Sequence, residues 1–300
     1  MPIDDGAQPV QHVVHTDKVC RFVAQDKVTD PIRQVLARIA HAARQRHPIS
    51  RSPYGGMTMT DKRTAVVTGA NKGIGLEIAR GLGRLGYTVW LGSRDQQRGE
   101  AAADILRNEG LDIRLLTIDV ADDVSVGAAA EALAGVTNTL DVLVNNAGIS
   151  TGWVAPSDDR ISDVRVIYEV NVFGAIRATQ AFLPLLKASA APRIVMMSSS
   201  LGSLAWASDF DAPMAHEANL LGYNSSKSAL NAVTVAFAKE LAPLGFKVNA
   251  ACPGYTATDL NQHAGPRTPE QGAAIAVHLA SLADDGPTGS FYDDAGVVAW

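Results

Sequence analysis

The 300-residue chain is short of several things, and each shortage removes a class of protein. It has two cysteines, Cys20 and Cys252, in unlike settings, so no disulfide framework is expected and a reducing cytoplasm fits. No apolar run reaches the ~18 residues that cross a bilayer, and no signal-peptide pattern opens the chain. Lysine and arginine (26) are outnumbered by aspartate and glutamate (31), so the net charge of −5 leaves no footprint for nucleic acid. Internal repeats and low-complexity tracts are missing too. What remains is 47% hydrophobic and 19% charged, which is enough to bury a large core and too apolar for a disordered chain. Two average domains would fit this length, but an α/β fold routinely takes ~250 residues in one.

The charge is unevenly spread. Residues 1–59 hold eight Lys/Arg against five Asp, about +3, which leaves about −8 for the remainder. Four of the seven histidines lie there, and no glutamate does. This stretch reads as an N-terminal extension, poorly ordered or partly helical. Asp30-Pro31 is a helix-start signal, followed by an apolar stripe of Ile32, Val35, Leu36 and Ile39. Met57 and Met59 stand just before a single domain expected over residues 60–300, and no catalytic residue is expected before Thr68.

From Arg63 onward apolar β-rich runs alternate with helical patterns. Strands are expected at 65–68, 88–91, 113–118, 142–145, 194–197 and 248–252, with a short one near 290–292. Helices are expected at 74–85, 96–108, 124–134, 161–186, 223–241 and near 269–282. Near-continuous apolar strands are buried on both faces, so the fold class is α/β, a doubly wound, mostly parallel sheet of about seven strands. Such sheets bind ligands at the carboxyl ends of their strands.

The residues that carry chemistry sit at those ends. The first strand runs into Thr68-Gly69-Ala70-Asn71-Lys72-Gly73-Ile74-Gly75 before a helix. Glycines let the backbone turn tightly and approach a pyrophosphate, which the free N–H groups of a helix start stabilise. The spacing G-x-x-x-G-x-G differs from the G-x-G-x-x-G dinucleotide fingerprint. The second strand ends Ser93-Arg94-Asp95, where an acid would read the ribose hydroxyl of NAD and an arginine suits the 2′-phosphate of NADP. Arg94 has the guanidinium for that phosphate, and Lys72 adds a second cation, so NADPH is the expected cofactor. Asp119-Val120 ends the third strand within reach of an adenine amino group, and Asn145-Asn146-Ala147-Gly148 ends the fourth with small residues beside the adenosine. Ser199 closes the fifth, where a hydroxyl can donate to an oxygen gaining negative charge.

Tyr223 and Lys227 lie four apart on one helical face. A neighbouring cation favours the phenolate and is expected to lower a phenol pKa that is otherwise ~10. That would give a proton donor for a carbonyl or a base for an alcohol.

Taken together, Thr68–Gly75, Asn145–Gly148, Ser199, Tyr223/Lys227 and Pro253-Gly254 resemble the short-chain dehydrogenase/reductase family over roughly residues 62–300. Ser93-Arg94-Asp95, Cys252-Pro253-Gly254-Tyr255 and Thr258-Asp259-Leu260 bring the chain nearest to NADPH-dependent carbonyl reductases within it. The resemblance implies a Rossmann-like fold and a set of roles. Tyr223 is the acid/base, Ser199 orients the carbonyl, and Lys227 binds the nicotinamide ribose while lowering the tyrosine pKa. Asn171 holds a water that links the lysine to solvent, and Thr258 helps hold the nicotinamide end or diphosphate. The implied reaction is reduction of a small-molecule ketone, aldehyde or quinone, with NAD-linked alcohol oxidation or a non-catalytic dinucleotide sensor as the alternatives. The 24 positions from Ser199 to Tyr223 exceed the family's simpler spacing and include Trp206, Phe210, Pro213, Met214 and His216. Monomeric carbonyl reductases also carry an insertion here, so a monomer is expected. His216, His263 and His278 have no ligand-like spacing, and no metal is expected.

Overall fold

A computed structural model of the chain describes residues 62–211 and 218–300. The 1–59 extension, its expected helix and its boundary lie outside the described residues, as do Pro213, Met214 and His216.

Every residue of β1 (Thr64–Val67), β4 (Val142–Asn145) and β5 (Arg193–Met197) is buried, as a sheet covered on both faces requires. These three form the middle of one sheet with β2 (Thr88–Ser93), β3 (Ile113–Thr117), β6 (Lys247–Ala251), β7 (Phe291–Asp293) and β8 (Gly296–Val297). The order across it is β3-β2-β1-β4-β5-β6-β7-β8, parallel from β3 to β7. The eighth strand, absent from the sequence reading, is two residues long and folds back antiparallel on β7. Chain order reverses between β1 and β4, which opens a crevice where their carboxyl ends diverge.

Helices cover both faces. Against one lie α1 (Gly73–Arg84), α2 (Gln96–Asn108) and α8 (Pro269–Ala280), around Ile78, Leu82, Leu106 and Leu279. Against the other lie α3 (Asp123–Ala134), α5 (Gly174–Lys187) and α7 (Leu221–Leu241), around Leu133, Phe182, Leu186 and Leu241. Local chemistry fixes several helix starts: Asp95 caps α2, Asp122 caps α3, and Thr268 with Gln271 forms a reciprocal box before α8.

One expected element is corrected. The single helix over 161–186 is α4 (Ile161–Tyr168) and α5, joined by a wider π turn at Glu169–Phe173. Asn171 sits in that turn with its side chain bonded away from its own helix, to the Ile149 backbone and to Ser226. Single π turns inside helices often mark functional sites. After β5 a 3-10 turn (Ser200–Gly202) and a four-residue helix, α6 (Leu204–Ala207), precede α7.

Candidate active site

The glycine turn and the loop after β4 are one unit. The Thr68 hydroxyl accepts the backbone N–H groups of Asn146 (3.0 Å) and Ala147 (3.1 Å). The Asn146 amide donates back to the carbonyls of Thr68 (2.9 Å) and Gly69 (3.1 Å). Space for this is made by glycines: a Cβ on Gly75 would stand 2.4 Å from the Asn146 amide nitrogen and 2.5 Å from the Gly69 carbonyl oxygen. Gly69, at φ +61°, would press on the Ala147 backbone. Gly73, at φ +56°, is different, because a Cβ there would meet only the Thr258 methyl at 3.6 Å. No side chain caps α1, whose N-cap is Lys72, so its first N–H groups are left to a ligand. Asn71 and Ile74, partly buried, complete a cradle that fits a diphosphate.

At the adenosine end Arg94 is exposed just beyond β2, while Asp95 is spent on capping α2 through the Arg98 N–H at 2.9 Å. The acid that would read a ribose hydroxyl is therefore committed to a helix, and the guanidinium is open. Lys72, expected as the second phosphate cation, pairs with Asp259 at 2.5 Å, and His263 reaches the other Asp259 oxygen at 2.9 Å. Lys72, first by its hydrogen bond and then by its charge, holds the Asp259 carboxyl below the usual range. Asp119 accepts the Ala121 N–H, and the Val120 carbonyl accepts from Arg177. Val120 also packs on Gly174, where a Cβ would be 2.8 Å away.

At the other end Ser199, Tyr223, Lys227, Asn171 and Gly148 converge. Ser199 caps the 3-10 turn after β5, its oxygen accepting the Leu201 N–H at 3.2 Å, and it lies near enough to the Tyr223 phenol to favour the phenolate. The Lys227 ammonium lies 5.6 Å from the centre of the Tyr223 ring and donates to the Met197 carbonyl at 2.8 Å. A Cβ on Gly148 would come within 3.5 Å of that ammonium and 3.4 Å of the Asn171 amide oxygen. Asn171 is buried, accepting the Ile149 N–H at 2.8 Å and donating to Ser226 at 3.0 Å. Pro253 and Gly254 follow β6, and Gly254, at φ +69°, packs on Arg267. Thr258 begins the next turn, its N–H held by Asn261 at 3.1 Å. Trp153, Trp206 and Tyr255 are exposed in the segments that follow β4, β5 and β6, Trp206 on the short helix α6.

Burial, not the lysine charge, governs the protonation of both groups. The phenol of Tyr223 is pushed up to about 12, chiefly by burial, with the Cys252 thiol adding to the rise and Ser199 opposing it. Lys227 is pushed down to about 8 by burial. Spacing on a helix brings the pair together but does not report the desolvation each suffers, and desolvation sets both shifts. Two neighbours were also missed. The Met197 carbonyl leaves no sequence signal, whereas Cys252, adjoining the expected Pro253-Gly254, was noted only as part of a motif.

The profile for short chain dehydrogenases matches residues 63–268, and the chain belongs to that family. It is 35% identical over 285 residues to (+)-neomenthol dehydrogenase of Arabidopsis thaliana, covering 77% of this chain and 95% of that protein. It is 33% identical over 300 residues to salutaridine reductase of Papaver bracteatum, covering 79% and 96%. Among solved structures, the NADPH-bound carbonyl reductase from chicken fatty liver superposes with a TM-score of 0.70 at 26% identity, covering 80% of this chain and 99% of that one.

Proposed function

We propose that this protein reduces the carbonyl of a ketone, aldehyde or quinone with NADPH. The observation that carries the reading is a phenol beside Ser199 with a buried ammonium 5.6 Å from its ring centre, next to the β4 loop that packs on the glycine turn. Gly69, Asn71, Lys72, Gly73, Ile74 and Gly75 would hold the diphosphate, and Arg94 the 2′-phosphate. Asp119, Val120, Asn146, Ala147 and Gly148 would flank the adenosine, and Tyr223, Lys227, Pro253, Gly254 and Thr258 the nicotinamide end.

Bound NADPH supplies the hydride. The chain's own groups manage the oxygen. As charge grows on it, the Ser199 hydroxyl donates a hydrogen bond and Tyr223 delivers its proton. With a pKa near 12 the phenol keeps its proton at neutral pH, the state that reduction needs, and an alkoxide is basic enough to take it. The Lys227 ammonium stabilises the phenolate left behind, and Asn171 fixes the loop at Ile149 beside it. The exposed Trp153, Trp206 and Tyr255 suit bulky or varied apolar carbonyl compounds.

No described helix is long and apolar enough to cross a membrane, and we place the protein in the cytoplasm. We also read it as a monomer on its Ser199–Tyr223 insertion, although Ile161, Val166 and Phe173 are exposed along one helical stretch. The test is NADPH and NADH consumption by the full chain with quinones, aryl ketones and aldehydes. Turnover preferring NADPH is expected, and none with any carbonyl would sink the reading.

A further inference from the structure

Asn231 follows Lys227 by four residues, as Lys227 follows Tyr223, so all three share one face of α7. Its side chain is buried, and its amide spans to the segment that carries Ser199. The amide oxygen accepts from the Ser198 hydroxyl at 2.6 Å, and the amide nitrogen donates to the Gly202 carbonyl at 3.1 Å. Ser198 precedes Ser199, and Gly202 closes the turn that Ser199 caps. One side chain thus grips the Ser199 segment on both sides. Ser228 donates to the same Gly202 carbonyl at 3.0 Å. Gly202 sits so close to the helix that a Cβ there would stand 2.7 Å from the Lys227 backbone.

We propose that Asn231 is a positioning residue for carbonyl reduction: it clamps the Ser198–Gly202 segment to α7 so that the Ser199 hydroxyl keeps its place against Tyr223. The proposal rests on the roles given to Ser199 and Tyr223 above. A bond to Ser198 alone would leave the turn free to pivot, and a bond to Gly202 alone would leave the end of β5 free to slide. Bonded to both, Ser199 is held between two fixed points, and the amide is committed to neither substrate nor cofactor. A residue serving only to fill the core would need no such pairing of donor and acceptor.

The experiment is a double-mutant cycle on the full chain, using a quinone or aryl ketone that the wild type reduces. Asn231→Leu keeps the volume and loses both bonds. Its kcat should fall about tenfold to a hundredfold, the scale of a small misplacement at a reacting centre. KM and the NADPH Kd from fluorescence should stay within about threefold, since the side-chain hydrogen bonds of Asn231 go to Ser198 and Gly202 and not to the cradle. In the Ser199→Ala background the same change should cost nothing more. A kcat for Asn231→Leu within twofold of wild type would overturn the proposal, as would an equal loss with and without Ser199. If Asn231→Leu does not fold, Ser198→Ala, which removes one of the two Asn231 bonds and a long contact to the Lys227 carbonyl, should lower kcat several-fold, and a normal kcat there would equally overturn it. Wild-type kcat in Ser199→Ala alone would instead refute the reading of the site itself.

Discussion

Replacing Lys227 with methionine should abolish turnover and yet alter stability in a way that depends on pH. Burial lowers the ammonium pKa from 10.5 to about 8, with the side chain 5% exposed. A lysine in the unfolded chain keeps its proton up to about 10.5, so between the two values the unfolded state binds more protons. Wild-type stability therefore rises with pH through that window and is lowest below pH 8. At pH 7 the folded state carries a penalty of roughly 3 kcal/mol for holding the charge. Methionine escapes it, at a cost of ~1–3 kcal/mol for leaving the Met197 carbonyl bare. The two nearly offset at pH 7, where the variant should match the wild type or exceed it slightly. Between pH 7 and pH 9.5 the penalty shrinks, and the wild type should gain about 2 kcal/mol relative to the variant. Urea unfolding of both proteins at several pH values reads this directly, since every other ionisation is shared. The range stops below pH 10, where tyrosines in the unfolded chain begin to release protons while Tyr223 does not. Parallel stability profiles would refute the reasoning, because they would mean that Lys227 is not held below its ordinary pKa.

Two further predictions concern the cofactor. Arg94→Ala should weaken NADPH binding about tenfold to a hundredfold, the scale of one charge-assisted contact to phosphate, and leave NADH binding unchanged. Equal losses for both nucleotides would remove Arg94 from the 2′-phosphate. Asp259→Asn frees Lys72 from its partner, so NADPH should bind about twofold to fivefold tighter at low salt, with the gain fading as salt screens it. Weaker binding in a titration would show that the Lys72–Asp259 pair holds the glycine turn in place instead.

Much of the fold was legible because burial on both faces writes itself into composition. The runs at 142–145 and 96–108 coincide with β4 and α2, and most other boundaries fall within a residue or two. The glycine turn, Ser199, Tyr223 and Lys227 were legible because their spacing is itself the chemistry. What stayed hidden depended on tertiary surroundings. A π turn adds one residue to a helix without changing its composition, so the break at Asn171 left no trace in the pattern. The pKa of Tyr223 depends on how much water the folded chain removes, which spacing cannot report. The sequence presents Lys72 as a second phosphate cation and does not show its partner Asp259, 187 residues away. Asn231 was within reach, since the same four-residue step that joins Tyr223 to Lys227 leads on to it.

The reading of the whole molecule turns on one hydroxyl. Tyr223→Phe removes the proton that reduction requires and keeps the ring against Lys227. NADPH binding followed by fluorescence should stay within about threefold of wild type, while carbonyl turnover drops by the ~10²–10⁴ expected of a lost general acid. Turnover close to wild type, with binding intact, would contradict the assignment of Tyr223 and with it the proposed chemistry.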